Sequence, residues 1–93
     1  MQLFVKVHGR VQGVGYRAYV KRIADSLAVK GWVRNSEKGH VEIFAQGREE
    51  ALNKFMDLIK IDSKYGPSVM HVEVQEGNPV RIKKAADNLF VIL

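Results

Sequence analysis

An α+β sandwich, with two helices on one face of a four- or five-stranded antiparallel sheet, is predicted by three observations. The stretch from Gln2 to Val7 alternates apolar and polar residues, the period of a half-buried strand. Two later stretches, beginning at Tyr16 and at about Arg48, repeat their apolar residues at helical spacing. No repeat, low-complexity tract or linker interrupts the order strand, helix, strand, strand, helix, strand. The 93 residues are expected to form one domain, residues 1–93, with no room for two.

In the first strand Leu3, Val5 and Val7 share one face, and Gln2, Phe4 and Lys6 the other. Gly9, Gly13 and Gly15 then break the alternation. From Tyr16 the apolar positions are Tyr16, Tyr19, Val20, Ile23, Ala24, Leu27 and Ala28, one continuous stripe. That helix is expected to stop just before Gly31, read as its C-terminal breaker. Gly31 to Asn35 and Val41 to Gln46 read as two strands joined by a turn at Glu37-Lys38-Gly39-His40. In the second of them Val41, Ile43 and Ala45 face the core. A second helix is expected from about Arg48 to Ile61, with Ala51, Leu52, Phe55, Met56 and Ile59 inward. After Lys64-Tyr65-Gly66-Pro67 a fourth strand falls near Met70 to Gln75, and Leu89 to Leu93 suits a short closing strand. Glu76 to Asn88 is polar and takes no assignment; its Arg81-Ile82-Lys83-Lys84 reads as a solvated loop or helix end. Short connections and right-handed crossovers make this the ferredoxin-like βαββαβ arrangement. Such a fold hosts many functions and selects none.

Composition narrows the chemistry. Cysteine is absent, which excludes a disulfide framework, a thiolate metal site and a thiol nucleophile together. The longest apolar run, Leu89 to Leu93, is far too short to span a bilayer, so no membrane partner is expected. Met1 to Lys6 has neither a basic leader nor an apolar core of signal length, and the expected location is the cytoplasm. Lys and Arg number 15 against 10 Asp and Glu, a net charge of +5 that favours an anionic partner. Charge alone does not say which one.

The segment from Gly9 to Arg17 reads either as a tight turn with a solvated Arg17 or as a place for an anion, and three glycines, a helix start and a first-turn arginine together favour the anion. It joins a buried strand to a helix N-terminus, where backbone N–H groups lack partners and the helix dipole is positive. Its glycines let Gln12, Gly13, Val14, Gly15 and Tyr16 turn several N–H groups toward one anion. Arg17, in the first helical turn, adds a planar fork suited to phosphate. A cation there conflicts with the helix dipole unless an anion is bound. A Walker loop does not fit, because no Gly-Lys-Ser/Thr follows. The glycine spacing departs from the dinucleotide fingerprint. A cysteine-dependent phosphatase loop would place its nucleophile where Val11 stands.

The run Val7-His8-Gly9-Arg10-Val11-Gln12-Gly13-Val14-Gly15-Tyr16-Arg17 resembles the first signature of acylphosphatases. Gly31-Trp32-Val33-Arg34-Asn35, with Gly39, Val41 and Gly47, resembles the second. Together they cover the N-terminal half, and both helices and the Gly66-Pro67 turn follow in family order. Tyr16 replaces the family's usual phenylalanine, and Lys38 stands where an aspartate commonly precedes the turn glycine.

The resemblance implies an enzyme that hydrolyses small acyl phosphates to a carboxylate and inorganic phosphate. It assigns Arg17 to the phosphate and Asn35 to the attacking water, and makes inorganic phosphate both a product and a competing ligand. Read by itself, Asn35 is an ordinary strand-end turn residue. The expected mechanism uses no cofactor and no metal. The leaving carboxylate, with a conjugate-acid pKa of about 4, departs without a general acid. His8 reads as a solvent-facing strand end, His40 as part of the hairpin turn and His71 as the start of the fourth strand. No ligand-spaced motif joins them. The competing reading is an RNA-binding sheet with Phe4, Phe44 and Trp32 as a stacking platform. Glu42 and Gln46 beside Phe44, and a missing basic-aromatic signature on the third strand, argue against nucleic acid.

Overall fold

The computed structural model of the chain describes residues 1–77 and 88–93. Its elements are β1 (Gln2–Arg10), α1 (Tyr16–Ser26), β2 (Lys30–Asn35), β3 (Val41–Gln46), α2 (Glu49–Ile59), β4 (Ser68–Glu76) and β5 (Phe90–Ile92). The sheet order is β4-β1-β3-β2-β5. β3 lies antiparallel between β1 and β2, the two strands that α1 connects, and β4 runs antiparallel along the other side of β1. This is the predicted ferredoxin-like topology.

β5 corrects the prediction of a wholly antiparallel sheet. It pairs parallel to β2, with Gly31 opposite Phe90 and Val33 opposite Ile92. The reason is where β4 ends. Gly77 N–H bonds to the Gln2 carbonyl, Gln2 faces Gln46, and Gln46 faces Lys30. The chain therefore leaves β4 at the sheet end where β2 begins. A strand added beside β2 from that end runs in the direction of β2. The Arg81-Ile82-Lys83-Lys84 stretch and most of the unassigned polar segment lie outside the described residues.

Alternation along β1 separates two apolar clusters. Leu3, Val5 and Val7 face the helices and join Val33, Ile43 and Ala45 in one core with Tyr16, Val20, Ile23 and Ala24 of α1 and Leu52, Phe55 and Ile59 of α2. On the opposite face Phe4, Trp32 and Phe44 pack together under Val91. Their ring centroids lie 6.1 Å (Phe4–Trp32) and 6.3 Å (Trp32–Phe44) apart. At 4%, 1% and 8% exposure these rings are not available as a stacking platform for bases.

Both helices are shorter than their periodicity predicts, for traceable reasons. α1 stops at Ser26 because Ala28 takes a left-handed φ of 56° and Val29 N–H closes back on the Ala24 carbonyl at 2.9 Å. Gly31 is no helix breaker. It lies inside β2, and a Cβ there would sit 1.9 Å from the Phe44 carbonyl oxygen of β3. α2 begins after an extended Arg48 and ends at Ile59, because Lys60, with φ −84° and ψ 66°, leaves helical geometry.

Candidate active site

The two helices begin differently. α2 carries Glu49 and Glu50 in its first turn, which complement its dipole. α1 has no acidic residue in its first turn and no side-chain cap. Its N-cap is Gly15, with φ 79°, and Gly13 has φ 74°. Nothing lies within 4 Å of a Cβ built at either position, so glycine is required there for conformation and not for space. Left-handed residues within such a turn swing neighbouring N–H groups to one side, forming a concave anion receptor.

A cavity of 180 Å³ opens at this point, lined by Val11, Gly13, Gly15, Tyr16, Arg17, Ala18 and Ile92. Val11 and Tyr16 are each 1% exposed and form its floor. The Tyr16 hydroxyl donates at 2.8 Å to the carbonyl of Ile59, at the end of α2. Burial, reinforced by Tyr19, pushes the phenol above its usual range, so Tyr16 acts as an anchor. The sequence allotted Tyr16 a backbone N–H role and gave no sign of this second contact.

Arg17 is half-buried, and its Nη1 donates to the main-chain oxygen of Leu93 at 3.2 Å. Leu93 N–H in turn bonds to the Val33 carbonyl of β2 at 2.9 Å. Arg10, by contrast, is turned to the chain ahead of β4: its guanidinium donates to the carbonyls of Gly66 (2.8 Å), Ser63 (2.8 Å) and Lys64 (3.1 Å). It pins the connection ahead of β4. Of the two arginines flanking the loop, Arg17 is the one beside the cavity.

Asn35 is exposed at the end of β2, on the same face as Val33 and hence the helix side. It stands opposite Val41, which stands opposite Val7, so it occupies the sheet end from which the loop departs. Asn35 does not line the Arg17 cavity. It borders a separate hollow of 430 Å³ with Lys6, Arg34, Ser36, Glu37, Lys38, His40 and Glu42. The structure thus gathers Arg17, Gly13, Gly15 and Tyr16 around one opening and sets Asn35 beside another.

Gln12 ties the two together. Its Nε2 donates to the carbonyls of Ser36 (2.8 Å) and His40 (2.9 Å), the ends of the turn that follows Asn35. From the sequence, Gln12 offers the loop only a backbone N–H. A contact between residues 24 and 28 positions apart leaves no local signature.

The histidines, treated separately in the sequence, form a row on the outer face of the sheet. His8 lies between His40 (centroids 5.1 Å apart) and His71 (5.5 Å apart). His8 Nε2 contacts Glu73 at 2.6 Å, and this hydrogen bond holds the Glu73 carboxyl below its usual range despite some desolvation. Burial pushes the Glu42 carboxyl up. The Arg34 hydrogen bond (2.7 Å) and charge, with help from His40, outweigh it and hold Glu42 below its usual range. Among the described residues no three His, Asp or Glu side chains are arranged to hold a metal ion. None of the described helices is long and apolar enough to cross a membrane.

The acylphosphatase family profile matches residues 3–87. The chain belongs to the acylphosphatase family. It is 42% identical over 86 residues to an acylphosphatase of Listeria welshimeri, covering 92% of each chain. The crystal structure of acylphosphatase from Bacillus subtilis superposes with a TM-score of 0.83 at 37% identity, over 99% of this chain and 97% of that one. HypF of T. kodakarensis contains a similar unit: the TM-score is 0.80 at 29% identity, over 100% of this chain and 12% of the HypF chain. The function of the family is hydrolysis of acyl phosphates, so the chain belongs among hydrolases.

Proposed function

We propose that this protein hydrolyses small acyl phosphates by direct attack of water on phosphorus, without a phosphoenzyme and without a metal. The observation that carries the reading is the α1 N-terminus, where an uncapped, acid-free first turn, two left-handed glycines and Arg17 surround one cavity. A bound phosphoryl group resolves the conflict between Arg17 and the helix dipole.

The residues divide the work by chemistry. Backbone N–H groups from Gln12 to Tyr16 hold the phosphoryl oxygens, and Arg17 clamps them with its planar fork. Asn35 is neutral and too weak a base to deprotonate water, but its amide can orient a water molecule in line with the leaving oxygen. The water oxygen bonds to phosphorus as the bond from phosphorus to the acyl oxygen breaks. A water proton passes to a phosphoryl oxygen, and the products are a carboxylate and dihydrogen phosphate. The low basicity of the carboxylate removes the need for a proton donor at the leaving group. Inorganic phosphate, as product, competes for the same cradle.

The test is continuous hydrolysis of benzoyl phosphate by protein at far below substrate concentration, with an alkyl phosphate as the control. The reading expects many turnovers of the first and none of the second. Release of no more than one phosphate per protein would make the chain a binding module.

A further inference from the structure

We propose that His40 is a positioning residue for hydrolysis, holding Ser36 and, through it, the backbone that orients the Asn35 amide. This rests on the reading that Asn35 orients the attacking water.

The imidazole of His40 is nine-tenths buried, with its side chain 10% exposed. Its Nδ1 lies 3.0 Å from Ser36 Oγ, and its Nε2 lies 3.4 Å from Glu42 Oε2. The ionised Glu42 carboxylate can only accept, which places the hydrogen of a neutral ring on Nε2. Nδ1 is then an acceptor, and the Ser36 hydroxyl donates to it. Ser36 Oγ also accepts Lys38 N–H at 3.2 Å. Ser36 N–H bonds to the His40 carbonyl at 2.9 Å. One side chain therefore closes the turn that starts next to Asn35. Gln12 of the phosphate loop spans the same two residues through their carbonyls.

The ring itself is held from outside. His8 packs against it at 5.1 Å between centroids, and Arg34 fixes Glu42 at 2.7 Å. Loss of the imidazole leaves the Ser36 hydroxyl without its acceptor and loosens the turn next to Asn35, which then rests on Gln12 and the Ser36–His40 backbone bond. An error of about 1 Å in a positioned group can cost about 100-fold in rate, so a partial loosening is expected to lower kcat about tenfold. The phosphate cradle, built on α1, is expected to keep its affinity.

The test compares His40→Leu, His40→Gln and Ser36→Ala, each alone and in the Asn35→Ala background, using benzoyl phosphate turnover, inhibition by inorganic phosphate, and thermal melts. His40→Leu should lower kcat about tenfold while the phosphate inhibition constant stays within about twofold. His40→Gln should recover most of that loss, since its carboxamide can accept from Ser36 and donate to Glu42. In the Asn35→Ala background His40→Leu should cost nothing further, because the group it positions is gone. Equal losses in both backgrounds, a glutamine variant no better than leucine, or parental kcat in folded His40→Leu would each overturn the proposal. If His40→Leu does not melt cooperatively, Ser36→Ala carries the same expectations with a smaller change in volume. Parental turnover by Asn35→Ala alone would remove the premise, and that outcome is read without any His40 variant.

Discussion

Arg17 Nη1 donates to the main-chain oxygen of Leu93 at 3.2 Å. A guanidinium has five N–H donors in a rigid plane, so one bond to Leu93 orients the fork and leaves the rest for a ligand. An ammonium group on a flexible stem can reproduce the charge but not that division. Arg17→Lys is expected to lose about 100-fold or more in kcat/KM and to bind inorganic phosphate far more weakly. Steady-state kinetics and phosphate competition read both quantities. Near-parental values would remove the clamp from the mechanism.

Asn35→Ala should separate chemistry from binding. Asn35 borders a hollow distinct from the Arg17 cavity, so substrate should still bind when its amide is removed. The expected result is a fall in kcat on the order of 100-fold with phosphate affinity kept within about twofold. Weakened phosphate binding at unchanged turnover would instead make Asn35 a substrate ligand. Melting curves must accompany the kinetics, because damage at the end of β2 could mimic either result.

Direct attack of water leaves an isotopic record. A single turnover in isotopically labelled water should place one solvent oxygen in the phosphate and none in the carboxylate. Rapidly quenched protein should carry no phosphate, and exhaustive chelation should leave the rate intact. The residue to watch is His8, a potential nucleophile in the segment that leads into the loop, although its Nε2 is engaged by Glu73 at 2.6 Å. A phosphohistidine that formed and decayed at the turnover rate would replace this mechanism with a two-step one.

Glu42 predicts a pH dependence of stability. Its ordinary value is 4.5, and Arg34 and His40 lower it in the folded protein. A carboxyl group of lower pKa when folded contributes stability that is complete above 4.5 and fades as pH falls through the folded value. The parent protein should therefore lose melting temperature below that point. Glu42→Gln should melt lower at neutral pH and show a shallower acid decline. Identical slopes in the two proteins would show that Glu42 titrates alike in the folded and unfolded chains.

How much of this was legible in the sequence depended on range. The stripe Tyr16, Val20, Ile23, Ala24 and the alternation Leu3, Val5, Val7 are local patterns, and the core contains those residues. Arg17 beside glycines at a helix start was legible because the conflict lies within one helical turn. Helix ends were misplaced where backbone geometry departs from the apolar spacing, as at Lys60, whose ψ of 66° leaves the helix while apolar residues continue to Ile61. The direction of β5, the reach of Gln12 to Ser36 and the row of His71, His8 and His40 all depend on strand register. Neighbours in register can lie 65 positions apart, as His8 and Glu73 do, and no periodicity within one segment records such a pairing.

Trp32 is the protein's single tryptophan, 1% exposed between Phe4 and Phe44, with the Arg34 guanidinium 5.0 Å above its ring. The larger cluster under the helices holds no indole. Intrinsic fluorescence is therefore an optical gauge of one side of the sheet. Solvent reaching the outer cluster shifts the emission, whereas loosening of α1 or α2 on the far side leaves it dark to the detector until the strands themselves part. Paired with helical circular dichroism, the same unlabelled sample reports the two faces on separate channels.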